Sequence, residues 1–216
     1  MIKNILVEIA RIAQIQLLKR RNDKKIVNLV QKIQREHDSM MWPAEMIQIY
    51  HCVQSTNNLE GDLAEVGVYK GSSAKLICEA KGKKILHLFD TFEGLPKPTK
   101  IDHNFMHEKK YAADLDLVKS YLSSYKNVFF YPGLFPKTAE LVKNKSFVFV
   151  HLDVDLYRST LDCLKFFYPR MVKGGIILSH DYSTLEGVKK AFDEFFRDKN
   201  RGPVIKLPTS QCLVVR

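Results

Sequence analysis

The sequence predicts an α/β fold: a mostly parallel sheet with helices on both faces, closed by an antiparallel hairpin and preceded by a helical extension. Three observations carry that expectation. From Gly61 onward, short apolar runs alternate with helix-length stretches, the pattern of consecutive βα units. Before Gly61 the apolar residues recur at helical spacing and no strand-like run appears. The C-terminal end holds two short apolar runs, Val204–Leu207 and Cys212–Val215, on either side of a Pro-Thr-Ser-Gln turn region.

In chain order, Ile2, Ile5, Leu6, Ile9, Ile12, Ala13 and Leu17 predict a first helix, and Ile26–Ile33 a second after the charged break Lys19–Lys25. Pro43 suits the first turn of a third. Strands are expected at Asp62–Val68, Lys84–Phe89, Val128–Tyr131, Phe147–Asp153 and Gly175–His180. Helices are expected near Ser73–Ala80, Ala113–Ser123, Thr138–Lys143, Thr160–Tyr168 and Leu185–Arg197, the last marked by the stripe Leu185, Val188, Phe192 and Phe195. The chain divides into an extension at 1–58 and a sheet domain at 59–216.

Composition bounds the function. A chain of 216 residues that is 45% hydrophobic can close a core without a disulfide or metal staple. Cys52, Cys78, Cys163 and Cys212 form no CxxC pair, which excludes a zinc knuckle and fits a reducing cytoplasm. Glu8 and Arg11 interrupt any signal-peptide core near the start, and no run reaches membrane-span length. The net charge of +10 is concentrated early: through Glu36 there are nine Lys/Arg against three acids. Such a segment is either a solvated helix face or a contact for phosphates or anionic lipid.

In open parallel sheets, ligands bind beyond the carboxyl ends of the strands, and those ends are polar here. The first runs into Glu65-Val-Gly67-Val-Tyr69-Lys-Gly71-Ser72. Its two glycines permit a tight turn before a helix. Glu65 stands where a dinucleotide fingerprint has its first glycine, and a carboxylate there repels pyrophosphate. It suits a cationic ligand such as the ammonium and sulfonium of S-adenosylmethionine. Asp90, ending the second strand, is placed to accept hydrogen bonds from ribose hydroxyls or to cap the next turn. If the fourth and fifth strands are adjacent, their ends lie about 5 Å apart. Asp153, His180 and Asp181 then converge, and clustered carboxylates call for a cation. Oxygen ligands favour Mg²⁺, Ca²⁺ or Mn²⁺, whereas a histidine moves the preference toward Mn²⁺ or a later transition metal.

The segments Gly61-Asp-Leu-Ala-Glu-Val-Gly-Val-Tyr-Lys-Gly71, Asp90-Thr-Phe-Glu-Gly-Leu-Pro96, His151-Leu-Asp-Val-Asp-Leu-Tyr157 and His180-Asp-Tyr182 together resemble the macrocin-type O-methyltransferases, over about residues 40–200. The resemblance implies a Rossmann-like class I methyltransferase that moves a methyl group from S-adenosylmethionine to a sugar hydroxyl of a natural product. The cofactor is expected along Glu65, Gly67, Tyr69, Gly71, Ser72, Asp90, Thr91 and Phe92. A divalent metal (Mg²⁺ or Mn²⁺) is implied at Asp153 and the two residues His180 and Asp181, with Asp155 as the general base. The family pattern has Asp-Asp-Tyr where this chain has His180-Asp181-Tyr182, so the site has one negative charge fewer. Another divalent ion, weaker Mg²⁺ binding or a metal-free site all remain open at this point.

The expected partners are a small-molecule or glycan acceptor and a second copy of the chain through the first helix, whose stripe Ile5, Ile9, Ile12 and Leu17 needs covering. The chain's own sheet domain and a membrane surface are the alternative covers. A nucleic-acid methyltransferase is the rival enzyme class, but Asp153-Val-Asp-Leu-Tyr157 replaces its Asn/Asp-Pro-Pro-Tyr motif and no stacking aromatics join the basic segment. A catechol-like acceptor and a non-catalytic binding protein are the remaining alternatives. The Thr91–Lys110 connection, too long for an ordinary turn, is expected to form a lid or acceptor wall.

Overall fold

The computed structural model describes residues 2–21, 23–37, 39–197 and 201–216. Three helices come first: α1 (Ile2–Arg21), α2 (Lys24–Glu36) and α3 (Pro43–Ser55). Then follow β1 (Asp62–Val66), α4 (Ser72–Ala80), β2 (Leu86–Asp90), α5 (Leu115–Tyr121), β3 (Val128–Pro132), β4 (Phe147–Leu152), α6 (Tyr157–Phe167), β5 (Met171–Ser179), α7 (Glu186–Phe195), β6 (Ile205–Lys206) and β7 (Cys212–Val215). They form one seven-stranded sheet in the order β3-β2-β1-β4-β5-β7-β6. The strands from β3 to β5 are parallel, and β7 joins β5 antiparallel with β6 at the edge.

Each face of the sheet has its own apolar layer. Ile33, Val30 and Val27 of α2, Met46 and Ile49 of α3 and Leu76 of α4 meet Leu63, Leu88 and Phe149 on one side. Leu164 and Phe167 of α6 and Val188 and Phe192 of α7 meet Val66, Val150 and Ile177 on the other. Helices α2 and α3 therefore share a core with the sheet.

Three local expectations shift. The first strand stops at Val66 because Gly67 turns the chain with φ +88°. The fifth begins at Met171, four residues early, with a register shift against β4 around Phe147 and Phe149. The helix expected at 138–143 is a 3₁₀ helix at Lys137–Val142. In α1 the side that packs on the rest of the chain carries Ile15, and Ile9, Ile12 and Leu17 of the expected stripe are 57%, 58% and 59% exposed in the single chain. The Ile2 and Ile5 side chains lie outside the described residues. Among the described residues no helix is long and apolar enough to cross a membrane.

Candidate active site

One cavity opens at the carboxyl edge of the sheet between β1 and β4, the point at which the strand order reverses. Backbone hydrogen bonds lace the strand ends together: Gly67 N–H donates to Phe89 O, Asp153 N–H to Val66 O and His180 N–H to Leu152 O, at 2.8–2.9 Å. A Cβ on Gly67 would lie 1.8 Å from the Asp153 carbonyl oxygen, so glycine is required here for backbone contact between β1 and β4. Tyr69, Phe92, Tyr111, Asp155 and Asp181 all take positive φ around this edge. Non-glycine residues rarely do, and such strain concentrates at functional sites.

On the β1–β2 side, Asp90 ties the loop down. Its Oδ2 accepts the N–H groups of Val68 at 2.6 Å and Tyr69 at 2.8 Å, and Oδ1 accepts that of Phe92 at 2.7 Å. A carboxylate has about four acceptor positions, so one remains for a ligand hydroxyl. Gly67, Tyr69, Ser72, Asp90 and Thr91 line the cavity. Gly71 and Phe92 do not: Gly71 is the left-handed residue preceding α4, and the Phe92 ring is buried.

Glu65 is a correction. It is fully buried and outside the cavity lining, with Oε1 2.8 Å from His151 Nδ1 on the adjacent strand. Burial raises its carboxyl pKa, and His151 offsets that only in part.

The β4–β5 side gathers the charges. Asp153, Asp155, His180 and Asp181 all line the cavity. His180 Nδ1 is 3.0 Å from Asp181 Oδ2 and 3.5 Å from Asp153 Oδ1, while Nε2 is 3.1 Å from Glu45 Oε2. Glu45, in the first turn of α3, was missed from the sequence, where it reads as part of a helix start. Burial alone would lower the His180 pKa, yet Asp153, Asp181 and Glu45 outweigh it and hold the ring well above its usual value. Burial raises both Asp153 and Asp155, and for Asp155 the neighbouring Asp153 and Asp181 push further in the same direction. Burial would also raise Glu45 and Asp181, but their hydrogen bonds and the His180 charge bring each below the usual carboxylate range.

The donor set fits a divalent ion. Ligand atoms of Asp153, His180 and Asp181 all lie within 4.8 Å of one another. Ligands about 2.1 Å from an octahedral ion sit about 3 Å apart at adjacent corners, close to the spacing of the His180 Nδ1 pairs.

The cavity is walled by the segment before α3, through Ser39, Met40 and Met41, and by the 91–114 connection. That connection is fastened. Leu95 N–H donates to Lys110 O at 2.8 Å and Lys109 N–H to Leu95 O at 2.9 Å. Asp102 Oδ1 accepts the Tyr157 N–H at 2.7 Å, capping α6, while Oδ2 accepts Thr99 N–H at 2.7 Å. Asp102 was also missed, because its partner is distant in sequence.

The family model described as Macrocin-O-methyltransferase (TylF) matches residues 2–209. The mycinamicin III 3''-O-methyltransferase of Micromonospora griseorubida is 28% identical over 182 residues, 75% of this chain and 71% of that protein. The 8-demethyl-8-(2,3-dimethoxy-alpha-L-rhamnosyl)-tetracenomycin-C 4'-O-methyltransferase of Streptomyces olivaceus is 29% identical over 153 residues, 62% of this chain and 59% of that protein. The solved structure of the O-methyltransferase NovP superposes with a TM-score of 0.72 at 25% identity, over 82% of this chain and 81% of that one.

Proposed function

The chain belongs to the macrocin-O-methyltransferase (TylF) family, and on that premise we propose that it transfers the methyl group of S-adenosylmethionine to a hydroxyl of a sugar or glycosylated small molecule, with help from a divalent cation. The observation that carries the reading is the meeting, in one cavity, of the Gly67–Ser72 loop and Asp90 with the charged cluster Asp153, Asp155, His180 and Asp181. The rhamnosyl-bearing acceptor named for one relative supports the sugar assignment.

In this reading the cofactor lies along Gly67, Tyr69 and Ser72, and its ribose takes the free acceptor position on Asp90. The sulfonium end then points toward β4. The net negative charge of the cluster favours a cationic methyl donor, and its attraction fades as the donor leaves as neutral S-adenosylhomocysteine. The acceptor oxygen attacks the methyl carbon in line with the carbon–sulfur bond, whose electrons stay on sulfur. The hydroxyl proton passes to the Asp155 carboxylate. Burial and like charge raise the proton affinity of Asp155, which strengthens it as a proton acceptor. Asp153, His180 and Asp181 would hold the cation, which supplies Lewis-acid polarisation of the acceptor hydroxyls. The walls at Met40, Met41, Leu95 and Tyr111 exclude water and contact the acceptor.

The test is release of S-adenosylhomocysteine from S-adenosylmethionine with a panel of deoxysugar glycosides, nucleotide sugars and catechols, with added Mg²⁺ or Mn²⁺ and with EDTA. Turnover is expected with a sugar hydroxyl. Turnover with catechols alone, or none despite cofactor binding, would overturn the acceptor assignment.

A further inference from the structure

His180 sits between carboxylates from opposite ends of the chain. Its Nδ1 faces Asp181 and Asp153, and its Nε2 faces Glu45 from α3. The other polar atoms on Glu45 are donors: Trp42 N–H to Oε2 at 2.8 Å, Ser210 Oγ–H to Oε1 at 2.6 Å and Ser210 N–H to Oε1 at 3.3 Å. A carboxylate so surrounded has only acceptor capacity left, so the ring nitrogen beside it carries the hydrogen. The Nε2–H is not aligned well enough with Oε2 for a full hydrogen bond, so Glu45 acts on the ring by charge at 3.1 Å. A neutral His180 then has its lone pair on Nδ1, facing the two aspartates.

We propose that Glu45 is a positioning residue that presents His180 Nδ1 as a metal ligand, making Asp153, His180 and Asp181 a mixed nitrogen and oxygen site that selects a Mn²⁺-type ion over Mg²⁺. The inference rests on the reading that the cluster takes a divalent cation. Mg²⁺ prefers oxygen ligands and gives up water reluctantly, whereas imidazole suits first-row transition ions. A carboxylate behind the second ring nitrogen fixes tautomer and orientation in such sites and raises the basicity of the ligating nitrogen. The arrangement also gives α3 a place in the site: the helix packs on the sheet domain and sets the orientation of a residue at the end of β5.

The test is Mn²⁺ binding to the full chain, read from the loss of the free-ion electron paramagnetic resonance signal, with Mg²⁺ as competitor. Spin-echo modulation from a coordinated imidazole nitrogen is the second readout. The wild type is expected to bind Mn²⁺ at least about tenfold more tightly than Mg²⁺ and to show the nitrogen modulation. Glu45→Gln should weaken Mn²⁺ about 10–100-fold, the usual loss for an outer-shell partner, with S-adenosylhomocysteine affinity unchanged. His180→Asp should lose the modulation, gain Mg²⁺ affinity relative to Mn²⁺ and become insensitive to Glu45→Gln. If a thermal scan shows Glu45→Gln unfolded, Glu45→Asp, which keeps the charge and shortens the reach, must still weaken Mn²⁺. Equal affinity for the two ions, absent modulation, or unchanged Mn²⁺ binding in the folded Glu45 variant would overturn the proposal. Failure of the wild type to bind either ion overturns it together with the metal reading, and the acceptor panel then decides separately whether methyl transfer stands.

Discussion

The two halves of the cavity use the same residue type in opposite ways. On the β1–β2 side Asp90 is satisfied by three backbone N–H groups, so its charge is spent on holding the loop in shape. On the β4–β5 side Asp153, Asp155 and Asp181 face one another across His180, and burial and mutual repulsion raise Asp153 and Asp155. The first half keeps one acceptor position on Asp90 open, and the second leaves its carboxylates facing one another; in the proposed reading the first positions the donor and the second carries the chemistry.

The sharpest way to break this division is Asp155→Asn. It removes the proton acceptor while keeping size, so methyl transfer should fall about 10²–10⁴-fold, the range of general base catalysis, with cofactor affinity held. Calorimetry beside a turnover assay reads both, and a parallel loss of affinity would move Asp155 into the binding half. Asp90→Ala should do the reverse. Cofactor binding should weaken by about 1.5–3 kcal/mol, the value of a hydrogen bond to a charged group, and the melting temperature should drop because the Val68, Tyr69 and Phe92 N–H groups lose their acceptor. A variant that binds normally would remove Asp90 from the ribose site.

pH sharpens the comparison without mutation. The folded pKa of His180 lies well above its ordinary value near 6.5, so its stabilisation is complete below pH 6.5 and is lost as pH rises through the raised value. Asp155, also raised, favours the folded chain at low pH in the same sense, whereas Glu45 and Asp181, both lowered, contribute above the ordinary carboxylate range and lose that contribution on acidification. The metal-free protein should therefore melt lower as pH rises above 6.5, and His180→Gln should flatten that decline. An unchanged slope in the variant would place the titration elsewhere.

The smallest effect on the site concerns α1. We propose that its exposed Leu6, Ile9, Ile12 and Leu17 are covered by a second copy of the chain. Deleting residues 1–21, which spares the buried face of α2, should halve the mass seen by light scattering and leave the cofactor affinity intact. An unchanged mass in a folded truncation would refute the dimer and favour the membrane surface.

The sheet was legible because each strand is a short apolar run bounded by polar ends, and those ends also marked Asp90, Asp153, Asp155, His180 and Asp181. What the sequence could not show was direction. Glu65 follows the period of β1 as any inward residue does, and only the pairing with His151 across to β4 reveals that it points into the core. Glu45 and Asp102 were invisible for a different reason: each acts on a partner far along the chain, His180 and Tyr157, and in local sequence each resembles an ordinary helix-start or loop acid. The stripe on α1 was legible as a face, but helical periodicity does not identify what covers it.

A crystal structure with S-adenosylhomocysteine decides whether donor and acceptor meet in this one cavity. The ribose is expected on Asp90, the chain along Gly67–Ser72 and the sulfur turned toward Asp153 and Asp155. Ligand density elsewhere on the chain, or a pose with the sulfur directed away from the β4–β5 cluster, would contradict that expectation.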